Sequence, residues 1–458
     1  MNLNQYSMKK IIIALFVLNF IPVFAQEHFS GITTSKRVGI LSGGNNPSEF
    51  ANLSSLVEIN LFASSFDVSN NKVGFQDLMD GNNLENLIFA GNDPVNFSID
   101  AQFAGPSVAF KVLNWGFGVS SKSFIKANII DVDPNLGNAV SNNTANAALA
   151  ETLISNNYNQ RLNTTAWGEV GFSIARKIFS TKLHKLNGGI TFKLLFPGAY
   201  ANIGAGNFKG TITNQPNGLF LSDAQASLNI AYSGSLSGNY GNTADYTSNL
   251  FGNLNGMATD IGFDYQFKSS GKSYRLKVGA AIKNMGSMIF KGKDNYSTDY
   301  TIAIPTATAL NPGFNLNDLD NAESLTDIEK ILKDSGYLGV QNRENKDFKV
   351  KLPTVLNLYA DLKVVSKLNV TLFLQQRTND NNSNDQIISQ NSFSITPRVN
   401  LGFFEAYVPV GFNEFSGTTG GFGFRLGGFF LGSNSVITAL TSDSKQADIY
   451  FGTRFGIL

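Results

Sequence analysis

The chain contains no cysteine and little histidine or tryptophan. Its 458 residues include no cysteine, two histidines and two tryptophans. The absence of cysteine excludes disulfide bonds, thiolate metal sites and a lipid anchor on an N-terminal cysteine. Two histidines leave few groups for metal binding or general-base catalysis. We therefore expect no metal, no other cofactor and no enzymatic activity.

Charge is also scarce, and it is evenly divided. Charged residues make up 15% of the chain, whereas soluble domains average about 25%. The 35 basic residues nearly balance the 34 acidic ones, so the composition predicts no nucleic-acid partner. Glycine (44) and phenylalanine (38) are abundant instead. This combination is unusual for a soluble domain.

The N-terminus has the pattern of a secretory signal. Met8-Lys9-Lys10 is basic, and residues 11–24 are mostly apolar and end next to the small residue Ala25. This pattern predicts a signal peptide at residues 1–25 that is removed before Gln26. A membrane anchor would need about 20 apolar residues, whereas Pro22 interrupts this shorter run.

After the signal, no apolar run is long enough for a membrane-spanning helix. A mature protein in a membrane must then be a closed β-barrel, because only closure satisfies every backbone polar group between strands. Apolar and polar residues alternate as such strands require. One face carries Met257, Thr259, Ile261, Phe263, Tyr265 and Phe267, and the other Ala258, Asp260, Gly262, Asp264, Gln266 and Lys268.

The same alternation recurs along the chain. Tyr274, Leu276, Val278, Ala280 and Ile282 oppose Arg275, Lys277, Gly279, Ala281 and Lys283, after a predicted hairpin at 270–272. Similar stripes occur at 57–61, 170–174, 190–194, 356–363, 422–427 and 447–457. A soluble β-sandwich would alternate too, but tilted membrane strands of around 10 residues fit these segments better. We predict an all-β, transmembrane antiparallel barrel of about 14 strands, with 12 and 16 as alternatives.

Long polar segments separate the predicted strands. They lie at 69–94, 131–163, 233–255 and 306–349, and are expected as long loops on one side of the barrel. Helical patterns appear at Ala145 to Ile154 and at Leu325 to Asp334, where Thr326 and Glu329 have capping-box spacing and Gly336 can end the helix. The polar run at 378–385 is interpreted as a solvated hairpin loop, with calcium binding as the alternative.

Eight charged residues fall on the polar faces of predicted strands and are expected to face the lumen. They are Asp260, Asp264, Arg275, Lys277, Asp361, Lys363, Arg425 and Arg454. Their mixed signs favour ion pairs in a filled or hatched lumen over a pore that selects one charge. His184 lies in a predicted turn, and Trp115 and Trp167 are expected either in interfacial girdles or in the core.

Short glycine and aromatic motifs carry a resemblance to known families. Residues 43–51, with Asn46-Pro47-Ser48 where Asn-Pro-Ala is usual, resemble the segment before the first strand in the long-chain fatty-acid transporter superfamily. Residues 278–286 and Leu352-Pro353-Thr354 are similar to its strand ends and starts. Residues 424–432 and 448–452 resemble a Bacteroidota family of outer-membrane barrels of unknown function.

The resemblance implies an outer-membrane barrel of residues 53–458, with residues 26–52 as a hatch in the lumen. It implies a passive transporter of hydrophobic or small solutes. A structural or accessory subunit of a secretion or assembly complex is the alternative, since some relatives act as partners of such systems. The expected partners are outer-membrane lipids, the outer-membrane insertion machinery during biogenesis, and protein partners in the envelope in the accessory case.

Overall fold

The structure of the protein is a computed structural model. It describes residues 28–80, 84–142, 151–233, 251–269, 273–292, 295–322, 324–340, 346–380 and 382–457. The predicted signal peptide and the hairpin at 270–272 lie outside these residues. None of the helices in the described ranges combines the length and the apolar character that crossing a bilayer requires.

Strands dominate the described residues. They are β1 (Val57–Asn70), β2 (Val95–Ala104), β3 (Ser107–Val112), β4 (Trp115–Val132), β5 (Glu151–Ser155), β6 (Asn159–Ser180), β7 (His184–Gln215), β8 (Gly218–Tyr232), β9 (Gly256–Lys268), β10 (Tyr274–Phe290), β11 (Tyr296–Ile304), β12 (Phe314–Asn315), β13 (Leu338–Val340), β14 (Phe348–Lys351), β15 (Val355–Lys363), β16 (Leu368–Arg377), β17 (Ser392–Asn400), β18 (Phe404–Tyr407), β19 (Val410–Asn413), β20 (Gly417–Gly420), β21 (Phe422–Leu426), β22 (Phe429–Ser433) and β23 (Gln446–Ile457). The helices are α1 (Ile40–Asn45), α2 (Phe75–Met79), α3 (Leu84–Ile88), α4 (Pro134–Asn142), α5 (Leu325–Asp334) and α6 (Val436–Thr441), with 3-10 turns at Pro47–Asn52 and Leu316–Asn321.

Antiparallel pairing closes the described strands into a ring of 14 positions. In order these are β1, β2 with β3, β4, β6, β7, β9, β10, β14 with β15, β16, β17, β18 with β19, β20 with β21, β22 and β23. The predicted barrel is therefore confirmed. Short turns such as 181–183 and 364–367 join strands at one end, and the long segments lie at the other.

The last strand closes the ring against the first. β23 pairs with β1 from Val57 opposite Ile457 to Ser69 opposite Gln446, with one bulge at Leu61. The first strand begins at Val57 as predicted, but it extends beyond Ala63 to Asn70. Closure leaves the barrel without a free edge, which a strand exposed to lipid could not tolerate.

The exterior is apolar and the interior is polar. In β9, Ile261 and Phe263 are 41% and 51% exposed, whereas Asp260 and Asp264 are 3% and 1% exposed. The face assignment for this strand is as the alternation predicted. Water outside the barrel would make an apolar belt of this size unfavourable, so the belt faces lipid.

A test of this assignment compares substitutions at adjacent positions of β9. Phe263→Arg places a charge in lipid, where arginine near the midplane costs about 2–4 kcal/mol, so barrel assembly should fall sharply. Asp264→Asn keeps the size of a lumen-facing side chain and should reduce assembly much less. The fraction of heat-modifiable protein in the membrane measures both. Equal loss at the two positions would overturn the assignment.

A bulge at the start of β10 shifts the predicted faces locally. In β10 the pairing with β9 slips between Tyr274 and Leu276. Tyr274 therefore points inward, where its hydroxyl donates to Asp361 Oδ2 at 2.6 Å, and Arg275 is exposed instead of lumen-facing. A strict period of two cannot anticipate the extra residue of a bulge.

Beyond the ring, part of the wall continues as a separate sheet, which we call the leaf. The half of β7 from Ala201 onward pairs with β8, β8 pairs with β11, and β11 pairs with β13. β5 pairs with the far end of β7. The first part of β7, from His184 to Leu195, pairs with β9 instead. The leaf thus branches from the ring near residues 196–200, on the long-loop side.

Of the two predicted helices, one is confirmed and the other is wrong in its described part. The helix at Leu325–Asp334 is confirmed, and Gly336 follows it with a φ of +77°. Its N-cap is Ser324, whose hydroxyl accepts from the backbone N–H of Asp327 at 3.1 Å, so the predicted cap at Thr326 is wrong. The predicted helix at 145–154 is wrong where it is described, because Glu151–Ser155 is a strand paired with β7; residues 145–150 lie outside the described residues.

Candidate functional site: a filled lumen and an apolar cavity

The lumen near the short turns is occupied by residues 28–55, which we call the hatch. Phe29, Ile32 and Leu41 pack against Tyr407 and Tyr450 of the wall. Phe50 is buried with other apolar hatch residues against the wall alanines Ala109 and Ala175. The hatch thus has an apolar core of its own within a polar barrel.

Buried charges fix the hatch to the wall. Glu49 pairs with Lys277 at 2.8 Å, and both side chains are 3% exposed. Glu405 accepts from the hatch hydroxyl of Ser35 at 2.8 Å and pairs with Arg398 at 3.1 Å. A buried ion is stable only when it is paired and hydrogen-bonded. The Glu49–Lys277 pair and the Ser35–Glu405 hydrogen bond therefore hold the hatch to the wall.

The Asn46-Pro47-Ser48 motif holds one turn of the hatch against β9. The side-chain oxygen of Asn46 accepts from the Ser48 backbone N–H at 3.0 Å, and its amide donates to the Phe263 carbonyl at 2.9 Å. The wall must approach closely here: a Cβ on Gly189 would lie 2.5 Å from the Pro47 carbonyl carbon. Glycine on the inner face of β7 is thus explained by the packing of the hatch.

The predicted lumen charges mostly lie inside. Asp260, Asp264, Lys277, Asp361, Arg425 and Arg454 are all buried. Their partners are, respectively, Lys193, Asn187 with Asn52, Glu49, Thr371 with Asn369, Glu405 and Glu58. Arg275 is exposed, and Lys363 is half-buried near the short turns, where it donates to Ser273 Oγ at 3.2 Å. Asp260, Lys277, Arg425 and Arg454 therefore each pair with a residue of opposite charge inside the barrel.

Several lumen residues escaped the sequence analysis. Arg398 and Glu405 are fully buried, and Glu49 comes from the hatch and not from a strand. Arg398 follows Ser392, Ser394 and Thr396 on one face of β17, so the same alternation could have identified it. Glu49 had no such signal, because its role depends on where the hatch is placed.

One histidine is positioned by a carboxylate, which sequence reasoning did not anticipate. His28 Nδ1 lies 2.9 Å from Ser65 Oγ, and Nε2 lies 3.1 Å from Asp100 Oδ1. Lys126 also pairs with Asp100. Ser65 is 4% exposed and does not line the cavity beside His28. The arrangement instead ties the start of the hatch to β1 and β2.

The described residues of the polar run at 378–385 are exposed or half-buried, as predicted for a solvated loop, but the residues that follow it enter the lumen. We call residues 378–391, of which 381 is not described, the plug loop. Gln386, Ile387 and Ile388 are 3%, 1% and 2% exposed. Ile388 packs against Ile130 of β4 and Phe415. The plug loop thus reaches across from the β16–β17 side and closes the long-loop end.

Polar contacts hold the plug loop to the opposite wall. Arg161 donates to the Gln386 carbonyl at 3.0 Å, and the Tyr200 hydroxyl donates to the Asn384 carbonyl at 2.8 Å. Burial opposes the charge of Asp385, but hydrogen bonds from Lys351 and Ser383 hold the pKa of this carboxyl below its ordinary value. The alternative of a calcium site gains no support: within the described ranges, no group of three or more acidic, histidine or cysteine side chains is placed to hold a metal ion.

A polar cavity of about 110 Å³ lies between the hatch and the plug loop. Its wall includes His28 of the hatch, Ile388 of the plug loop, and Lys122, Glu169 and Trp167 of the barrel. Trp167 Nε1 is buried and has no hydrogen-bond partner among the residues that the structure describes. Since buried donors are rarely left unpaired, this cavity holds water or a polar solute.

Trp115 and Trp167 have different roles. Trp167 stacks on Phe124 at 4.5 Å inside the lumen. Trp115 is 37% exposed near the short turns, where Arg176 lies 4.9 Å above its ring. Trp115 therefore has the position of an interfacial aromatic, whereas Trp167 is core.

A second cavity, of about 430 Å³, lies outside the barrel wall on the long-loop side. Its floor is the outer face of β4, β6, β7, β8 and β11, with Ile129, Leu162 and Ile203 side by side. Its cover is α4, the 3-10 turn at Leu316–Asn321 and α5. Phe208, Leu221 and Phe314 add to an almost wholly apolar lining. The cavity lies on the same face that faces lipid farther down β6.

The polar groups at this cavity are hydrogen-bonded elsewhere, except for the amide nitrogen Nε2 of Gln160, which has no partner among the described residues. Gln160 accepts from the Asp133 backbone N–H at 2.7 Å, and the Tyr337 hydroxyl donates to Asn311 at 3.1 Å. The Ser335 hydroxyl donates to the Leu332 carbonyl at 2.7 Å, and the guanidinium of Arg161 bonds into the lumen. Among the described lining residues, the cavity therefore offers an unpaired amide but no free charge to neutralise a charged ligand.

Comparisons with known proteins give a family and a shape. A family model described as a family of unknown function (DUF5723) matches residues 49–434. No curated protein matches the chain significantly. The family of unknown function predicted from the motifs is thus confirmed, whereas its restriction to Bacteroidota stays a prediction.

Solved barrels resemble the structure weakly. The toluene transporter TodX of Pseudomonas putida is 9% identical, with 92% of this chain and 95% of that chain covered and a TM-score of 0.41. The toluene transporter TbuX of Ralstonia pickettii is 10% identical, with the same coverage, 92% and 95%, and a TM-score of 0.40. Scores this low say nothing about what this chain binds. The closed ring and its lipid-facing belt are those of an outer-membrane β-barrel.

Proposed function

The chain belongs to the family of unknown function DUF5723, and from its own geometry we propose that it is a passive transporter of small, neutral, apolar compounds. The observation that carries this proposal is the cavity of about 430 Å³ above the lipid-facing wall. Ligand pockets usually have about 300–1,000 Å³. An apolar cavity of about 150 Å³ is already enough to hold benzene, so this one accommodates a larger hydrocarbon.

The chemistry of the lining selects neutral compounds. An apolar wall favours transfer of apolar surface from water by about 25 cal/mol per Å². A carboxylate in the same place would lose its hydration and gain at most the neutral amide of Gln160, because the other polar side chains nearby are already hydrogen-bonded. We therefore expect hydrocarbons to bind and their carboxylated analogues to be rejected.

The position of the cavity suggests how binding serves transport. The cavity opens on the long-loop side, and its floor continues into the outer face of β6, where Phe172 and Ile174 are 47% and 38% exposed. A bound hydrocarbon is thus held between the aqueous exterior and the lipid-facing wall. The branching of the leaf from the ring produces this geometry, since it extends the apolar face of the wall above the membrane.

A larger side chain on the floor of the cavity tests whether the cavity binds the hydrocarbon. Ala205→Phe introduces a ring into the lining, and the affinity for naphthalene should fall at least about tenfold, which corresponds to about 1.4 kcal/mol. Naphthalene fluorescence with the protein in lipid nanodiscs measures the affinity. Ala303→Phe is the matched control, because Ala303 is exposed on the same leaf and does not line the cavity.

A second ligand separates the proposal from nonspecific partitioning. Naphthoate has the same rings and a carboxylate, and it should bind at least about tenfold more weakly than naphthalene. Equal binding of both compounds, or unchanged naphthalene binding in Ala205→Phe, would contradict the proposal.

A further inference from the structure

The lumen of the barrel is lined by polar residues, whereas the cavity outside the wall is apolar. A barrel of 14 strands is too wide for its own side chains to fill, since full closure by side chains occurs at about 8 strands. Here the inner face is polar, and what fills it is the hatch at one end and the plug loop at the other. Neither insert is part of the pairing that closes the ring.

We propose that the barrel is a latent aqueous pore for small hydrophilic solutes, closed in series by the hatch and the plug loop. The hatch seals the half nearest the short turns, and the plug loop seals the long-loop half. The polar cavity of about 110 Å³ is the space left between the two closures. At about 30 Å³ per water molecule it holds about four waters.

The two closures have separate anchors on the wall. The hatch is fixed through Lys277, Arg398 with Glu405, and Arg454, toward the short turns. The plug loop is fixed through Arg161 and Tyr200 on β6 and β7, and through Ser69 at the long-loop end of β1. Because the anchors differ, release of one closure leaves the contacts of the other intact.

The plug loop is the weaker closure. Its bonds to the lumen wall are hydrogen bonds to its own carbonyls and amide side chains, and its ion pair between Asp385 and Lys351 is about half exposed. Exposed ion pairs contribute at most about 1 kcal/mol. The hatch instead is joined to the wall by the fully buried pair of Glu49 and Lys277, whose disruption leaves unpaired charges. The plug loop is therefore expected to open first, from outside.

The cavity wall indicates which solutes the open pore would pass. Lys122 and Lys193 lie 3.7 Å from either side of the Glu169 carboxylate, and Lys126 pairs with Asp100. A ring of one sign would select counter-ions, whereas mixed signs give weak charge selectivity. The pore should therefore pass small neutral or zwitterionic solutes as well as ions.

The first experiment removes each closure in turn. Because Gln375 pairs with Ser392, residues 380–389 can be replaced by a four-residue glycine-serine turn without changing the strands. A second variant lacks residues 28–52, and a third combines both changes. Proteoliposome swelling in glycine should stay at the rate of empty liposomes for the native protein and for each single variant. The combined variant should swell at least about tenfold faster, as expected of an unfilled barrel.

Swelling of either single variant would overturn closure in series, and a combined variant that folds but stays impermeable would overturn the pore. Heat-modifiability identifies the variants that fold.

The second experiment keeps the full chain, so it does not depend on the deletions folding. The chain has no cysteine, so Gln102→Cys in the cavity wall is a single reporter for a charged methanethiosulfonate reagent added to intact cells. Ile387→Asp with Ile388→Asp should expel the plug loop, because two carboxylates cannot remain in these apolar sites.

The expelled loop should raise the labelling rate of Gln102→Cys at least about tenfold, with glycine permeability unchanged because the hatch remains. Leu310→Cys, at a 99% exposed position, is the matched control and should react equally fast in both backgrounds. An unchanged labelling rate at position 102 would show that the plug loop is not a closure. A rise in glycine permeability would show that the hatch does not seal the other end.

Discussion

Removal of residues 450–458 is expected to abolish accumulation of the protein in the outer membrane. β23 pairs with β1 along nearly its whole length, and the lost residues include the partners of Val57 to Ser65. Without them, β1 has an unpaired edge in lipid, where each unsatisfied backbone group costs several kcal/mol. Tyr450, which donates to the Ser30 carbonyl at 2.6 Å, would also release the hatch. Immunoblots of outer-membrane fractions should show almost none of the heat-modifiable form.

A matched variant separates backbone closure from the side chains of the strand. Phe455→Ala with Ile457→Ala removes two exposed apolar side chains, 54% and 61% exposed, and keeps every backbone bond. This variant should assemble more slowly but still reach the heat-modifiable form. A truncated protein that accumulates as a protease-resistant barrel would mean that residues 450–458 are dispensable for closure.

Replacement of Glu405 by leucine should produce the largest loss of stability of any single substitution considered. Glu405 is fully buried between Arg398 and Arg425 and accepts from Ser35 of the hatch. Its loss leaves Arg425 without a carboxylate and Arg398 with only Asp361, 4.0 Å away. Breaking a buried pair in this way costs about 3–5 kcal/mol. The urea midpoint of the reconstituted barrel, followed by tryptophan fluorescence, should fall accordingly.

Two controls assign that loss to the unpaired charges. Asp385→Asn breaks a pair with Lys351 whose side chains are 48% and 50% exposed, and it should cost at most about 1 kcal/mol. Combining Glu405→Leu with Arg398→Met and Arg425→Met removes both guanidinium groups, while Asp361 keeps its hydrogen bonds from Tyr274, Asn369 and Thr371. This variant should recover most of the lost stability. A triple variant as unstable as Glu405→Leu would indicate lost packing instead of unpaired charge.

The strand faces could be predicted from the sequence because their cause is local. Along β9, each residue contacts either lipid or the lumen, and the two environments select opposite side chains. The outcome at Ile261, Phe263, Asp260 and Asp264 follows directly. The same rule failed at Arg275, since a bulge inserts one residue and reverses the faces beyond it. A bulge depends on how two strands pair, and one strand alone does not contain that information.

The plug loop shows the opposite case. Residues 378–385 are polar and rich in asparagine and aspartate, a composition shared by solvated turns and by loops that bond to a polar lumen. The buried Ile387 and Ile388 follow that run, but two adjacent isoleucines are common in any strand start. Only the positions of Ile130 and Phe415 beside Ile388, and of Tyr200 in the cluster with Ile387, show that both are buried in the lumen.

By itself the sequence determined the barrel, its approximate strand number, the closing strand and the lipid-facing side chains, because alternation and the absence of long apolar runs are properties of consecutive residues. Only the tertiary structure decided that Glu49 meets Lys277, that Glu405 lies between two arginines, and that the leaf and its helices enclose an apolar cavity. The physical reason is whether an effect acts on one residue alone or depends on two separate parts of the chain. Lipid and water act on each residue where it stands, whereas a buried ion pair or a cavity joins different strands or segments, 228 residues apart for Glu49 and Lys277. Its existence depends on the position of both partners.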